Sequence, residues 1–366
     1  MIAAGDFDAM QPFFGTYKAA LPLAKQRTRI YYNHEGAFFP ETMYSWGAYS
    51  SVDYGWDRSK DPIGFATNPY IRYYWSGGLE LSAMMIEYYA YTQDKKFAAE
   101  TLLPLASEIV KFYDLHYKRN ANGKIRFEPA QSLETWHTAV NPLPEIAGLK
   151  YVLTRLLELP SNLTSASQRA EWNRMLGELP PLPEKTEDSK TFLLPAESYS
   201  NEMNSENPEL YAVFPYRLFG VGRDDLEIGR ETYARRRNPG NNCWWQDDIH
   251  SAFLGMAGEA RSKVASRFAN RNADFRFPGT YGPGLDELPD MDHGGVGRIA
   301  LQSMLIQPVG DKILLFPAWP KEWNVEFKLH APRNTVIEGV YRDGKLAQLK
   351  VTPQSRAKDI IKMDPQ

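Results

Sequence analysis

Residues 125–146 read IRFEPAQSLETWHTAVNPLPEI, and this stretch decides the architecture that we expect for the rest of the chain. Carboxylates, amides, a Trp and a His are concentrated there between two segments of helical periodicity. Its three prolines keep most of the stretch from forming one regular helix. Polar and aromatic loops held between long helices often carry sites, so we expect a functional loop with Glu134 at its centre.

Outward from this loop, apolar residues recur at helical spacing in both directions along the chain. Polar, Gly-rich and aromatic loops at 31–75, 199–222 and 277–295 interrupt the periodic segments. The repeated order of helix, polar loop and helix predicts a mainly α protein, an α/α toroid, complete or incomplete, with its cleft made by loops at one end. Helices are predicted over residues 6–28, 78–91, 95–116, 143–157, 165–179, 224–236, 247–257, 259–270 and 296–307.

The pattern changes near residue 310, where short alternating segments replace the helical ones. Arg342-Asp343-Gly344-Lys345 is a hairpin turn signal between two of these segments. We therefore predict a catalytic domain over residues 1–310 and a small antiparallel β-domain over 311–366. Its strands are predicted at 313–316, 325–329, 336–341, 346–351 and 359–361.

Composition excludes several classes of function. The chain has 366 residues, 43% hydrophobic and 24% charged, and its net charge of −3 without a long basic block argues against nucleic acid as a partner. Cys243 is the single cysteine, which excludes an intrachain disulfide framework and a cysteine metal site. We expect no metal and no cofactor. No apolar run reaches the ~18 residues of a membrane span.

The N-terminus has neither a basic segment nor an apolar core, so it does not predict a signal peptide. The compartment is left open, with a secreted or periplasmic parent protein as the expectation. Aromatic residues are abundant, with 9 Trp, 21 Tyr and 18 Phe. Most should be core, because aromatic rings bury large apolar areas, but some suit the apolar faces of sugars. The candidate platforms are Trp46, Trp75, Trp136 and Trp245.

Four segments, in this order, resemble glycoside hydrolase family 95. Residues 129–134, Pro-Ala-Gln-Ser-Leu-Glu, are similar to the Pro-Ser-x-Ser-Pro-Glu of the family. Residues 206–215 stand where the family has a His-rich stretch ending Leu-Tyr-x-x-Phe-Pro. Residues 290–295 resemble its Asp-Gly-Asn-Phe-Gly-Gly, and residues 314–321 resemble its Leu-Leu-Pro-Ala-Leu-Pro turn into a β-domain.

The resemblance implies a β-sandwich, an (α/α)6 toroid and a C-terminal β-domain, of which this chain would hold the last two. It implies that Glu134 is the general acid and that Asp290 activates or orients water, with Asp292 as the alternative. The residue-level alternatives are a helix-start carboxylate for Glu134 and a helix cap for either aspartate. The family's water-orienting Asn-x-Asn would lie upstream of Met1, so the chain is expected to be truncated or a shortened relative.

The departures from the family concern sugar-contacting positions. Pro40 and Glu41 stand in place of two His, and Glu206 and Glu209 in place of another His pair. Specificity for α-L-fucose should therefore not be carried over. Further candidates for substrate contact, in addition to Glu41, Glu206 and Glu209, are Trp46, Trp136, His137, Trp245, Asp292 and His293.

These observations predict an inverting glycoside hydrolase that cleaves a terminal α-linked sugar, of the α-L-fucoside or α-L-galactoside type, from an oligosaccharide or polysaccharide. One alternative is a non-catalytic glycan-binding relative, which the missing Asn pair favours. Another is a polysaccharide lyase. In that case Asn141 would neutralise a uronate, and His137 or Tyr211 would act as the base.

Overall fold

The computed structural model describes residues 1–277, 279 and 289–365. About 44% of the chain is helical and 18% is in strands. The chain forms two compact units. The first holds residue 1 and residues 6–189 and 193–216, and the second holds residues 2–5 and 190–192 and the chain from residue 217 onward.

The first unit is built on long helices, as the periodicity predicts. The predicted helix 78–91 is confirmed as Ser76–Thr92, and 143–157 as Leu143–Leu157. The predicted helix 95–116 is continuous but contains one π-helical stretch, Ala98–Leu102. The helices are α1 Phe7–Tyr32, α2 Ser51–Tyr54, α3 Ser76–Thr92, α4 Lys95–Phe97, α5 Leu103–His116, α6 Leu143–Leu157 and α7 Ala166–Glu178.

Local sequence explains where several of these helices begin and how they pack. The Asp94 side chain accepts a hydrogen bond from the Phe97 N–H at 3.0 Å and caps α4. Ser165 and Gln168 form a capping box at the start of α7. On α6, Gly148 lies against Tyr216, whose Oη would be 2.8 Å from a Cβ at that position. Glycine is therefore needed for this close approach.

The stretch around Glu134 is a β-hairpin rather than a loop between helices. The strands that precede residue 203 are β1 Ala130–Ser132, β2 Trp136–Pro142, β3 Glu184–Glu187, β4 Lys190–Leu193 and β5 Ala196–Glu202. Strand β2 pairs antiparallel with both β1 and β5. Pro129 lies beside the start of β1 and Pro142 lies at the end of β2, where the missing N–H is tolerated, and Pro144 lies in the first turn of α6, where the N–H would have no partner within the helix.

The second unit also begins with helices. They are α8 Leu226–Arg235, α9 Asp247–Phe253, α10 Ala257–Ala269 and α11 Met291–Leu305. Helix α11 begins five residues before the predicted residue 296, because Asp290 caps it. It ends at Leu305, since the next residues extend into a strand that contains Pro308.

Two small sheets follow in the second unit. Their strands are β6 Ile306–Val309, β7 Lys312–Leu315, β8 Val325–Ala331, β9 Thr335–Arg342, β10 Lys345–Thr352 and β11 Ile360–Lys362. One sheet has the antiparallel order β10-β9-β8, and the other has the order β11-β7-β6. The predicted small antiparallel sheets are confirmed, with one difference, since β11 runs parallel to β7. The fold class, a toroid-like helical protein with such sheets near the C-terminus, is likewise confirmed.

The division into domains at 310/311 stays a prediction. The helices of residues 226–305 and the sheets of residues 306–362 lie in the same compact unit. The polar loop predicted at 277–295 falls mostly on residues 278 and 280–288, which lie outside the described residues. Within the described ranges, no helix is both long and apolar enough to cross a membrane.

Candidate functional site

Glu134 lies on the tight turn between β1 and β2, not at the start of a helix. Leu133 has a φ of 50°, a left-handed conformation that the turn requires. The buried Gln131 side chain holds the turn from within, since its Nε2 donates to the Leu133 carbonyl at 2.9 Å. Its Oε1 accepts from the Tyr73 N–H at 2.7 Å. The reading of Glu134 as a helix-start carboxylate is therefore wrong.

A second segment, residues 203–207, is bonded directly to this turn. The Glu206 carboxylate accepts from the Glu134 N–H at 2.8 Å and from the Thr135 hydroxyl at 3.1 Å, both at Oε2. The Glu206 N–H donates in return to Thr135 Oγ1 at 2.9 Å. Asn204 Nδ2 donates to Glu134 Oε2 at 2.8 Å. The position of the Glu134 carboxyl is thus set by two chain segments about 70 residues apart.

Glu41 lies on a loop that the first helix holds in place. The Arg27 side chain is 6% exposed, and its Nη1 and Nη2 donate to the carbonyls of Gly47 and Phe38 at 2.6 and 2.8 Å. Asp53 lies beside this loop and accepts from the Thr42 hydroxyl at 2.7 Å. Glu41 itself is exposed. Partial burial of its carboxyl, and then the charges of Glu134 and Asp53, raise its pKa.

Glu80 is a site residue that the sequence did not reveal. It lies in the first turns of α3 between the buried Leu79 and Leu81. Its Oε1 is buried and has no hydrogen-bond partner among the described residues. Burial, and then the charge of Glu41, raise the pKa of Glu80 to about 7. A single carboxylate inside an apolar helical run is the signal that could have identified it.

The carboxyl of Glu206 has a strongly raised pKa. Part of the side chain is exposed, but the carboxyl is enclosed. Burial, and then the charges of Glu134 and Glu80, raise its pKa to about 8, although the bonds from Thr135 and the Glu134 N–H oppose the shift. Clusters of carboxyls with raised pKa are typical of sites that move protons. Glu41, Glu80, Glu134 and Glu206 therefore form one electrostatically coupled group.

The aromatic candidates of the first unit differ in exposure. Trp46 is 64% exposed and stacks on Tyr44 with ring centroids 4.4 Å apart. Trp136 is half-buried and meets Tyr199 edge-on at 4.7 Å. Trp75, in contrast, is 2% exposed and packs against Phe38 at 4.7 Å. The expectation of a platform at Trp75 is wrong, because its indole belongs to the core.

Two more predicted residues of this unit are placed as follows. His137 lies on β2 with its ring 4.8 Å from that of Tyr70, and burial lowers its pKa. Its Nε2 is buried without a hydrogen-bond partner among the described residues. Glu209 is buried in the 3-10 helix Pro208–Ala212.

Asp290 and its neighbours belong to the second unit. Asp290 is buried and caps α11, with Oδ1 accepting from the His293 N–H at 2.9 Å. Its Oδ2 is buried and has no partner in the described part of the chain. Asp292 is exposed. The buried His293 ring accepts from the Cys243 N–H at 3.2 Å through Nδ1 and donates to the Arg267 carbonyl at 2.8 Å through Nε2.

A fully buried ion pair fixes this region. Arg267 Nε donates to Asp248 Oδ2 at 2.6 Å, and both side chains are 0% exposed. Arg267 also donates to the carbonyls of Cys243 and Trp245. The half-buried Trp245 is therefore held through its main chain, with its ring 5.2 Å from that of Trp244.

Across the described part of the chain, no set of three or more His, Cys, Asp or Glu side chains is arranged to hold a metal ion. The structure brings Glu41, Glu80, Glu134 and Glu206 together within the first unit. The second unit holds Trp245, Asp290, Asp292 and His293.

Comparison with known proteins bears on the family and the fold. Residues 7–188 match the family model of the glycosyl hydrolase family 95 catalytic domain. A solved structure from human microbiome, provisionally named a kojibiose phosphorylase, is similar in fold with a TM-score of 0.60 and 11% identity, over 89% of this chain and 46% of that one. The chain thus spans just under half the length of that structure. No curated protein matches.

The match to the family model indicates the glycoside-processing class of proteins, and the similarity to the solved structure shows the fold. Within that class this chain is glycosyl hydrolase family 95-like, which confirms the resemblance, and the matched residues include the first of its four segments, residues 129–134.

Proposed function

We propose that this protein is an inverting glycoside hydrolase that removes a terminal α-linked sugar, of the α-L-fucoside or α-L-galactoside type, from an oligosaccharide or polysaccharide. The observation that carries the proposal is the position of Glu134 on a turn fixed by Gln131, Asn204 and Glu206. A general acid must be held within reach of the leaving oxygen and must have a proton at working pH.

The reaction balances with two groups. Glu134 donates a proton to the glycosidic oxygen as the bond from that oxygen to the anomeric carbon breaks. A water molecule attacks that carbon from the opposite face and gives a proton to Asp290, which is proposed on its family motif, with Asp292 as the alternative.

Sugar contacts are proposed for the candidates that the first unit presents. Trp46 offers an exposed ring face, and Trp136 a half-buried one. Glu41 offers carboxylate oxygens on an exposed loop, and His137 and Glu209 are further polar candidates. From the second unit, Trp245, Asp292 and His293 stay proposals on resemblance and residue type.

The lyase alternative needs a side chain that neutralises a uronate. Its candidate, Asn141, is committed to the fold, since its Oδ1 accepts from the Phe127 N–H at 2.9 Å and its Nδ2 donates to Glu197 at 2.6 Å.

The test is proton NMR of the full chain with α-L-fucosyl, α-L-galactosyl and related oligosaccharides. Wild type should release the inverted β-anomer, and Glu134→Gln of matched thermal stability should lose at least roughly 100-fold in rate. Asp290→Asn and Asp292→Asn compared in parallel identify the water-activating residue. Exposed Glu171→Gln serves as the matched control. Equal release by wild type and Glu134→Gln would exclude Glu134 as the acid, and sugar binding without release would favour the glycan-binding alternative.

A further inference from the structure

An open cleft of about 490 Å³ lies in the first unit between α1 and the segment 94–101. Its volume falls within the roughly 300–1,000 Å³ of ligand clefts. Helix α1 contributes Gln11, Phe14, Gly15 and Lys18, which share one helix face because they are spaced by three or four residues. The carboxyl cluster of the proposed active site contributes none of the lining residues, so this is a separate cleft.

Both walls of the cleft depart locally from a regular α-helix with a side chain at every position. Gly15 lies inside α1, although glycine destabilises a helix interior, and a Cβ there would meet no atom of another part of the chain within 4 Å. The opposite wall includes Glu100 and Thr101 from the π-helical stretch Ala98–Leu102. Such stretches are rare and are frequent at functional sites. The backbone therefore leaves space at this place on both sides.

The charges that line the cleft balance. The ammonium groups of Lys18 and Lys96 face the carboxylates of Asp94 and Glu100 as lining groups. Lys18 Nζ lies 4.0 Å from Glu100 Oε2, with both side chains about half exposed, so this pair is a weak one. A lining with two cations and two anions favours a ligand without net charge.

The same lining offers donors, acceptors and an aromatic ring. Gln11 Nε2 donates to the Tyr88 hydroxyl at 3.0 Å, which leaves its Oε1 as an acceptor. Asp94 Oδ1 accepts from the Phe97 N–H at 3.0 Å, which leaves its Oδ2 as another. The lysines and the Thr101 hydroxyl are donors. The half-buried Phe97 ring is held by Tyr88, with ring centroids 4.4 Å apart.

We propose that this cleft is a second saccharide site, which binds a neutral oligosaccharide separately from the proposed active site. A polyhydroxylated ligand can pair with donors and acceptors together, brings no charge, and has apolar C–H faces that suit the Phe97 ring. The choice of a sugar over other neutral polar ligands rests on the proposed function, whereas the cleft itself does not.

The test places a reporter beside the cleft and needs no turnover. Ala19 is exposed and lies one turn beyond Gly15 on α1, and the single cysteine, Cys243, is buried. Ala19→Cys in the full chain can therefore be labelled selectively with a trifluoromethyl group. Fluorine NMR should show a saturable shift with neutral tetrasaccharides that end in α-L-fucosyl, α-L-galactosyl or α-glucosyl units. The same label on Gly177→Cys, at an open glycine of α7, should not shift.

Two further variants alter the cleft itself in the labelled protein. Gly15→Leu places a side chain in the open space and should weaken binding at least roughly 10-fold, whereas Gly177→Leu should not. Neither should lower Tm, because leucine favours a helix over glycine. Lys96→Ala removes one donor and should weaken binding roughly 5-fold. Lys95→Ala is its control, because Lys95 is exposed and does not line the cleft.

The outcomes separate this proposal from the proposed activity. No saturable shift with any of the three tetrasaccharides would overturn the second site, and so would an undiminished shift in the Gly15→Leu background. Tighter binding of a uronate tetrasaccharide would overturn the neutral ligand class. A shift that Gly15→Leu abolishes, in a protein that hydrolyses no glycoside, would support the second site while it counts against the proposed hydrolase.

Discussion

The buried pair of Arg267 and Asp248 gives the sharpest stability prediction. Arg267→Met keeps an apolar stem of similar length but leaves the Asp248 carboxylate enclosed without its cation. Removing one partner of a buried ion pair costs about 3–5 kcal/mol. The carbonyls of Cys243 and Trp245 lose a donor as well. We therefore expect the free energy of unfolding to fall by at least about 3 kcal/mol.

The assay is urea unfolding followed by both tryptophan fluorescence and far-UV circular dichroism, whose coincidence tests for a single transition. Arg261→Met is the matched control, because Arg261 lies on the same helix and forms an exposed pair with Glu322 worth about 0–1 kcal/mol. The double variant Arg267→Met with Asp248→Leu should recover much of the loss, since no buried charge remains. If Arg267→Met cost no more than Arg261→Met, the reasoning would be refuted.

Three further predictions concern single side chains. Glu80→Gln should become more stable relative to wild type as pH rises from 5 to 8. The pKa of Glu80 is about 7 in the fold against an ordinary 4.5, so ionising this carboxyl costs the wild-type fold about 3 kcal/mol. Tm at several pH values measures this, and the exposed Glu171→Gln should show no such trend. Burial, and then the charge of His34, lower the pKa of His116 to about 4. The free energy of unfolding of wild type should therefore fall by about 3 kcal/mol as pH falls from 6.5 to 4, and that of His116→Phe should not show this loss. An identical fall in the free energy of unfolding of the two proteins would contradict this. Trp75→Ala should lose about 3–5 kcal/mol of stability in urea unfolding. Trp46→Ala should change stability by less than about 0.5 kcal/mol and should raise KM for oligosaccharides in glycoside kinetics. The reverse order would show that the two rings have been assigned the wrong roles.

The helices of the toroid were predictable because their signals are local. Segment 78–91 shows helical periodicity within its own sequence, and it forms Ser76–Thr92. The hairpin at Glu134 was not predictable in the same way. Pro129 and Pro142 indicate a loop locally, and only the partner strand Ala196–Glu202, far along the chain, makes a sheet possible.

The candidate site was predictable only where a sequence motif or a polar loop marked it. The resemblance to the family pointed to Glu134, and the polar loops pointed to Glu41 and Glu206. Glu80 was not predicted, because a helical glutamate is normally solvated, and the burial that raises its pKa arises only in the folded chain. Both readings of Asp290 were available from the sequence. The helix cap is observed, and the role in water activation stays a prediction.

The bonds between the Glu134 turn and residues 204–206 have a consequence for anyone who wishes to engineer this protein. Thr135 and Glu206 each serve as donor and acceptor for the other. Removing the Thr135 hydroxyl breaks both of these bonds, and removing the Glu206 carboxyl breaks its bonds from the Glu134 N–H and the Thr135 hydroxyl. A library that varies one segment alone will therefore return mostly damaged proteins. Productive sequence diversity should appear only when both segments are randomised together, and natural relatives should exchange these positions in pairs.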